Sequence, residues 1–208
     1  MQPNLGSSLI LAVLWLSMLL ISGIRLKPFF AICFTGIIIL SAGWSFLLHD
    51  YQKERIAGFI LPGKDPLGIS WNQNQAKIAI GSGGIFGQGF ANGSQTQYGF
   101  LPEPQNDFIF SAIAEEFGLV GITVLFLLMI IMLSRIMKIA ANSKSNFPRL
   151  FAVGLTALIA TQIFINVGVN LGILPVIGIS LPLVSYGGSS LIITFICLGI
   201  LQNIKKNQ

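Results

Sequence analysis

Residues 150–204, LFAVGLTALIATQIFINVGVNLGILPVIGISLPLVSYGGSSLIITFICLGILQNI, contain no Asp, Glu, Lys or Arg. The hydrocarbon core of a bilayer takes about 20 mainly apolar residues as a helix, so this run holds two spans and a connection. Gly172, Pro175, Gly178 and Pro182 mark the connection. Working outward, residues 1–24 and 28–48 are also free of charge, and 108–134 carry only Glu115 and Glu116. Five helices follow, at 8–24, 28–48, 108–134, 150–169 and 183–204, with a long loop at 49–107. The expected fold is an all-α polytopic transmembrane bundle. The first helix has no basic residue ahead of it, which argues against a cleaved signal peptide.

Composition points the same way. Twelve Lys and Arg with seven Asp and Glu make the chain 9% charged, against about 25% in ordinary globular proteins. Hydrophobic residues make up 53%. Disorder, nucleic-acid binding and a water-soluble enzyme are excluded as readings. The net charge of +5 needs no acidic partner, because basic residues collect on the cytoplasmic side of membrane proteins.

Arg25 and Lys27 lie in one short loop, Arg135, Lys138, Lys144 and Arg149 in another, and Lys205 and Lys206 at the end. These sites are expected in the cytoplasm, C-terminus included, which puts 49–107 and the connection near 171–182 outside. Met1 then also falls outside without an anchor, as though an odd number of earlier spans were missing. Cys33 and Cys197 sit inside spans with no His or Cys beside them and read as packing residues.

Within 49–107, Gly81, Gly83, Gly84, Gly87, Gly89 and Gly93 form a glycine-rich run. Glycine lets backbone approach a ligand and present N–H groups to an anion, although a tightly turning loop gives the same spacing. No Gly-Lys-Ser/Thr ending is present, so a nucleotide P-loop is excluded. Pro102 and Pro104 delay helix formation, and Asn106 or Asp107 is expected to cap the third span. An acid partly desolvated at a membrane mouth is also where a raised pKa makes a base. At about 100° per residue, Glu115 falls about 80° from Asp107 on one helix face, while Glu116 points away to a partner elsewhere; structural roles are expected for both. In the last connection, Ser185, Tyr186, Gly187, Gly188 and Ser189 are expected either in a plain hairpin or in a re-entrant element facing the same cavity as Asp107.

Several of these stretches together resemble a known family. They are Ile80 to Gly84 with Gly87, then Gln97, Phe100 to Glu103, Asp107 to Phe110, and Ala114 to Glu116 with Gly118. The pattern continues in Gly172 to Pro175, Gly178, Leu181 to Leu183 and Ser185 to Ser189, and it includes Gln2, Pro3, Leu5 and Gly6, and Asp65 to Gly68. It resembles the SEDS family of shape, elongation, division and sporulation proteins, most of all the rod-shape branch, from residue 2 to about 190. The resemblance implies a bacterial plasma-membrane glycosyltransferase that polymerises lipid II into peptidoglycan on the outer face. It also implies a class B penicillin-binding transpeptidase as partner, within the elongation or division machinery, and a divalent cation, Mg²⁺ or Mn²⁺. The catalytic carboxylate of the family heads a motif that here begins at Asp107. Substrate contacts are expected at Gly83, Gly84, Gln97, Pro102, Glu103, Ser185, Tyr186, Gly187, Gly188 and Ser189, with Glu103 also a candidate metal ligand.

The family has ten spans, and this chain resembles its C-terminal half. Two other functions are weighed against the polymerase: a fragment that is inactive without an N-terminal half, and a carrier that flips lipid II across the bilayer.

Overall fold

The computed structural model describes residues 5–43, 59 and 69–206. The motifs at Gln2 and Asp65, and the end of the second span expected at 28–48, lie outside the described residues. Among those described, there are seven helices and no strand. They are α1 Leu5–Ile21, α2 Leu26–Gly43, α3 Ile69–Gly83, α4 Ser94–Gln97, α5 Ile109–Asn142, α6 Asn146–Asn170 and α7 Gly188–Lys206. The last three are each long and apolar enough to cross a membrane, and two shorter apolar helices run Gly6–Ile21 and Leu26–Gly36. The protein is an all-α, integral-membrane helix bundle.

Packing fixes the relative directions. Ser111 at the start of α5 meets Asn170 at the end of α6, whereas Ile139 and Ala140 at the far end of α5 share a cluster with Ala152 and Val153. α5 and α6 are therefore antiparallel. Leu201 joins that same cluster, so α7 runs back alongside α6. Gly6 lies against Ile177 and Ile179, and Met18 against Gly154, so α1 also runs antiparallel to α6. The bundle thus has two ends. One holds Lys144, Arg149, Lys205 and Lys206. The other holds Asp107 and a second apolar cluster of Ala76, Leu101, Phe108, Ala112, Ile165, Val169 and Ile179.

The helix ends differ from the sequence expectation in an instructive way. Arg135 and Lys138 lie on the last turns of α5 and Arg149 on the first turn of α6, so only Lys144 of the four stands in the connection. Long basic side chains carry their charge clear of an apolar helix end, so a charge need not stop the helix. Cys33 and Cys197 are free thiols, each half-buried.

The loop expected at 49–107 contains the ordered helix α3. Its buried face is Gln73, Ala76, Ala79 and Gly83, a small-residue stripe at helical spacing. Because Ala76 packs with Phe108 and Ala112 while Gly83 abuts the Ala114 carbonyl, α3 runs parallel to the first turns of α5. A side chain at Gly83 would occupy the place of that carbonyl.

At 34 residues, α5 is about 51 Å long, well beyond a hydrocarbon core of about 30 Å. The surplus lies at its start. Phe110, Ser111, Ala112, Ala114 and Glu115 are buried, whereas Leu119, Val120, Val124, Leu127 and Leu128 are exposed as lipid-facing residues would be. Between the two stretches stands Gly118, with φ 66° and ψ −163°, where the helix breaks.

Candidate functional site

A broken helix leaves N–H and C=O groups without partners, and these must be satisfied where water is scarce. Here the glycine-rich loop after α3 satisfies them. Gln88 N–H donates to the Glu115 carbonyl (2.9 Å) and Gly89 N–H to that of Glu116 (3.0 Å), while Leu119 N–H donates to the Gly84 carbonyl (3.0 Å) and Val120 N–H to that of Ile85 (3.1 Å). Gly87, at φ 81°, lies so close to the Glu116 carbonyl that no Cβ fits. Two of the loop N–H groups, those of Gln88 and Gly89, are thus spent on α5, and Gly87 N–H on the Gly83 carbonyl. The glycine run is a tight turn spliced into a helix.

Glu115 closes the other side of this loop. It is fully buried and its carboxylate accepts four hydrogen bonds: from Gln95 N–H (2.7 Å), Ser94 Oγ (3.4 Å), Thr96 N–H (3.0 Å) and Thr96 Oγ1 (2.7 Å). Its partner is the first turn of α4. The shared helix face with Asp107 expected from sequence does not form, because Asp107 precedes the helix.

Around Asp107 the carbonyls of three successive residues are each held by another segment. Tyr186 N–H donates to the Gln105 carbonyl (2.9 Å), Ser185 Oγ to that of Asn106 (2.8 Å), and the Nδ2 atoms of Asn166 and Asn170 to that of Asp107 (3.0 and 2.8 Å). Asn166 Nδ2 also donates to the Ile179 carbonyl, and Ser185 Oγ accepts from Leu181 N–H. The connection after α6 is consequently not a plain hairpin: it folds back on the residues before α5, burying Ile179, Leu181 and Ser185. The half-buried Asp107 carboxylate lies beside Gly178, where a Cβ would stand 3.8 Å from Oδ2. Neither Asn106 nor Asp107 caps α5 as expected. The N-cap is Phe108 without a side-chain bond, and Asn106 Nδ2 turns instead to Glu103 Oε2 (2.8 Å).

The ten residues expected at a substrate site fall into three places. Glu103, Ser185 and Tyr186 share the mouth with Asp107; Glu103 is exposed, at φ 43°. Half-buried Pro102 precedes it, and Gly187, Gly188 and Ser189 open α7 directly after Tyr186, whose side chain is 79% exposed. Gly83 instead packs about two turns further along α5, roughly 10 Å away, and the Gly84 carbonyl accepts from Leu119 N–H further on still. Gln97 ends α4 with its side chain exposed. Asn166 and Asn170 escaped the sequence reading. Gln162, Asn166 and Asn170, amides at four-residue spacing in a mainly apolar span, are a legible signal, since amides at that depth require hydrogen-bond partners.

Among the described residues, no group of three or more His, Cys, Asp or Glu is placed to hold a metal ion, and the Glu103 carboxylate is turned onto Asn106.

A family profile described as "Cell cycle protein", for FtsW, RodA and SpoVE, matches residues 1–208. Peptidoglycan glycosyltransferase MrdB of Escherichia coli (strain K12) is 43% identical over 207 residues, covering 100% of this chain and 56% of that protein. Stage V sporulation protein E of Bacillus subtilis (strain 168) is 38% identical over 206 residues, with coverage of 99% and 55%. A solved peptidoglycan synthase complex, described as coordinating polymerization and crosslinking, contains a chain that superposes with a TM-score of 0.79 at 30% identity, covering 99% of this chain and 56% of that one. The chain spans about half the length of the curated relatives it matches. It belongs to the FtsW, RodA and SpoVE family of cell cycle proteins.

Proposed function

We propose that this chain carries the catalytic mouth of a peptidoglycan glycosyltransferase, with Asp107 as the base. The observation that carries the reading is a carboxylate whose local backbone is clamped by α6 and by the connection after it, at the end of the bundle opposite Lys144, Arg149, Lys205 and Lys206. With those cations in the cytoplasm of a bacterial cell, the C-terminus is cytoplasmic and the mouth faces outward, where lipid II is consumed. Asp107 takes the proton from a sugar 4-hydroxyl as that oxygen attacks C1 of the growing chain. The C1–O bond to undecaprenyl pyrophosphate breaks with inversion, and the pyrophosphate leaves as a stable anion that needs no protein acid.

Tyr186 and the open first turn of α7 at Gly187, Gly188 and Ser189 are proposed to contact substrate, together with Pro102, Glu103, Ser185 and Gln97. Gly83 and Gly84 are proposed to serve the site through the loop they shape. Mg²⁺ or Mn²⁺ is proposed only as a companion of the substrate's pyrophosphate, the usual setting in which Mg²⁺ meets few protein ligands. The proposed partner is a class B penicillin-binding transpeptidase, which the resemblance implies; the crosslinking named for the solved complex agrees with it.

A second statement is compatible with the 56% coverage of MrdB, which does not favour it over the first: this chain polymerises only together with an N-terminal half. Both are tested by following labelled lipid II with the chain alone and with a five-span N-terminal half co-expressed. Polymer is expected only in the second case, with Asp107→Asn lowering its rate by about 10²–10⁴-fold. Polymer at near parental rate from Asp107→Asn refutes the base, and polymer from the chain alone refutes the need for a second half. Lipid II movement without polymer would make the protein a carrier.

A further inference from the structure

In an ordinary α-helix the carbonyl of residue 107 would accept from the N–H of residue 111. Here that bond is replaced by a side chain from another helix. Ser111 N–H donates to Asn170 Oδ1 (3.0 Å), and Asn170 Nδ2 donates to the Asp107 carbonyl (2.8 Å). One amide, fully buried, therefore stands between the donor and the acceptor of the first helical turn and satisfies both. Ser111 Oγ also donates to Asn170 Oδ1 (2.6 Å), and Asn170 Nδ2 shares a bond with the Asn166 carbonyl (2.8 Å), which fix the amide's orientation. Asn166 supplies a second donor to the Asp107 carbonyl.

The geometry points to Asn170, supported by Asn166, as the positioning residue for the Asp107 carboxylate; this rests on the base assignment proposed above. By taking the place of the 107–111 bond, the amide keeps Asp107 off the helix, which begins only at Ile109. Without it, the buried Ser111 N–H lacks a partner and the Asp107 carbonyl keeps only Asn166, so the simplest remedy is for that N–H to bond the carbonyl. That closes one more turn of helix and swings the carboxylate away from Gly178. Asn170 touches neither substrate nor reacting atoms and acts only through Asp107.

The test uses the co-expressed two-half protein with labelled lipid II, comparing Asn170→Ala with Ile159→Ala, a fully buried residue of the cluster at the opposite end. Asn170→Ala is expected to lower kcat by about 10²-fold while KM for lipid II stays within about twofold, the effect of misplacing a reacting group. Ile159→Ala is expected to lose folded protein while the folded fraction keeps its kcat. Parental kcat in Asn170→Ala, with polymer lost in Asp107→Asn, overturns the positioning role alone. An equal loss of kcat in the folded fraction of Ile159→Ala also overturns it, since the effect would then be general destabilisation. Polymer surviving Asp107→Asn removes the base on which the inference stands.

Discussion

Gly118 holds a backbone conformation that only glycine adopts readily, and a Cβ there would meet Gly87 N and the Ile85 carbonyl. Gly118→Ala therefore adds backbone strain to an overlap with main-chain atoms that have no rotamer to escape into. The expected loss is about 3 kcal/mol or more, read as a lowered melting temperature in detergent; a variant as stable as the parent would mean that the break is not required. Gly118 stands among the residues that carry the family resemblance, but its spacing gave no warning of a break. A lone glycine in an apolar run reads as a tolerated helix residue, and the break shows only when the partner loop is in place. Asp107 was legible through its motif, whereas the amide that holds it lies 63 positions away in the chain and becomes a neighbour only through the antiparallel packing of α5 and α6.

The short helix α4 has no buried residue of its own, and its hold on the bundle at the first turn comes from the four bonds to Glu115. Glu115→Gln keeps one acceptor oxygen but turns an amide N–H₂ toward donors, so at least one buried donor pair is left unmet, at about 1–3 kcal/mol each. Amide hydrogen exchange across 94–97 is expected to speed up in this variant while that of α6 stays as in the parent. Unchanged exchange in α4 would show that the carboxylate does not anchor it. The five apolar helices were readable because charge-free runs of span length have few alternatives. The 15-residue helix α3 was not. Its polar, glycine-rich sequence reads as loop, and it is helical because Gln73, Ala76, Ala79 and Gly83 form a narrow face that α5 covers; Gln73 also donates to the carbonyls of Val169 and Leu174.

Across the whole molecule, Asp107 and the basic helix ends occupy opposite poles, so sidedness decides whether the chemistry can reach its substrate. With Cys33 and Cys197 replaced by alanine, Tyr98→Cys and Gln202→Cys place single exposed thiols at the two poles. A membrane-impermeant maleimide added to intact cells is expected to label the first and spare the second. Labelling of Gln202→Cys alone would invert the topology and end the glycosyltransferase reading. The clustering of Lys144, Arg149, Lys205 and Lys206 at one pole was legible in the sequence; the way the 171–187 connection folds back onto the mouth was not, because Gly and Pro spacing fits a hairpin equally well.

The splice between the glycine-rich loop and α5 is made entirely of main-chain atoms. Its four bonds impose no chemistry on the side chains at positions 85, 116 or 119, so those sites are free to drift toward whatever the surrounding lipid or a neighbouring subunit favours, while Gly87 and Gly118 cannot. Force applied to the apolar length of α5 would pass into the cap at the Asp107 end through this backbone seam, whatever residues decorate it.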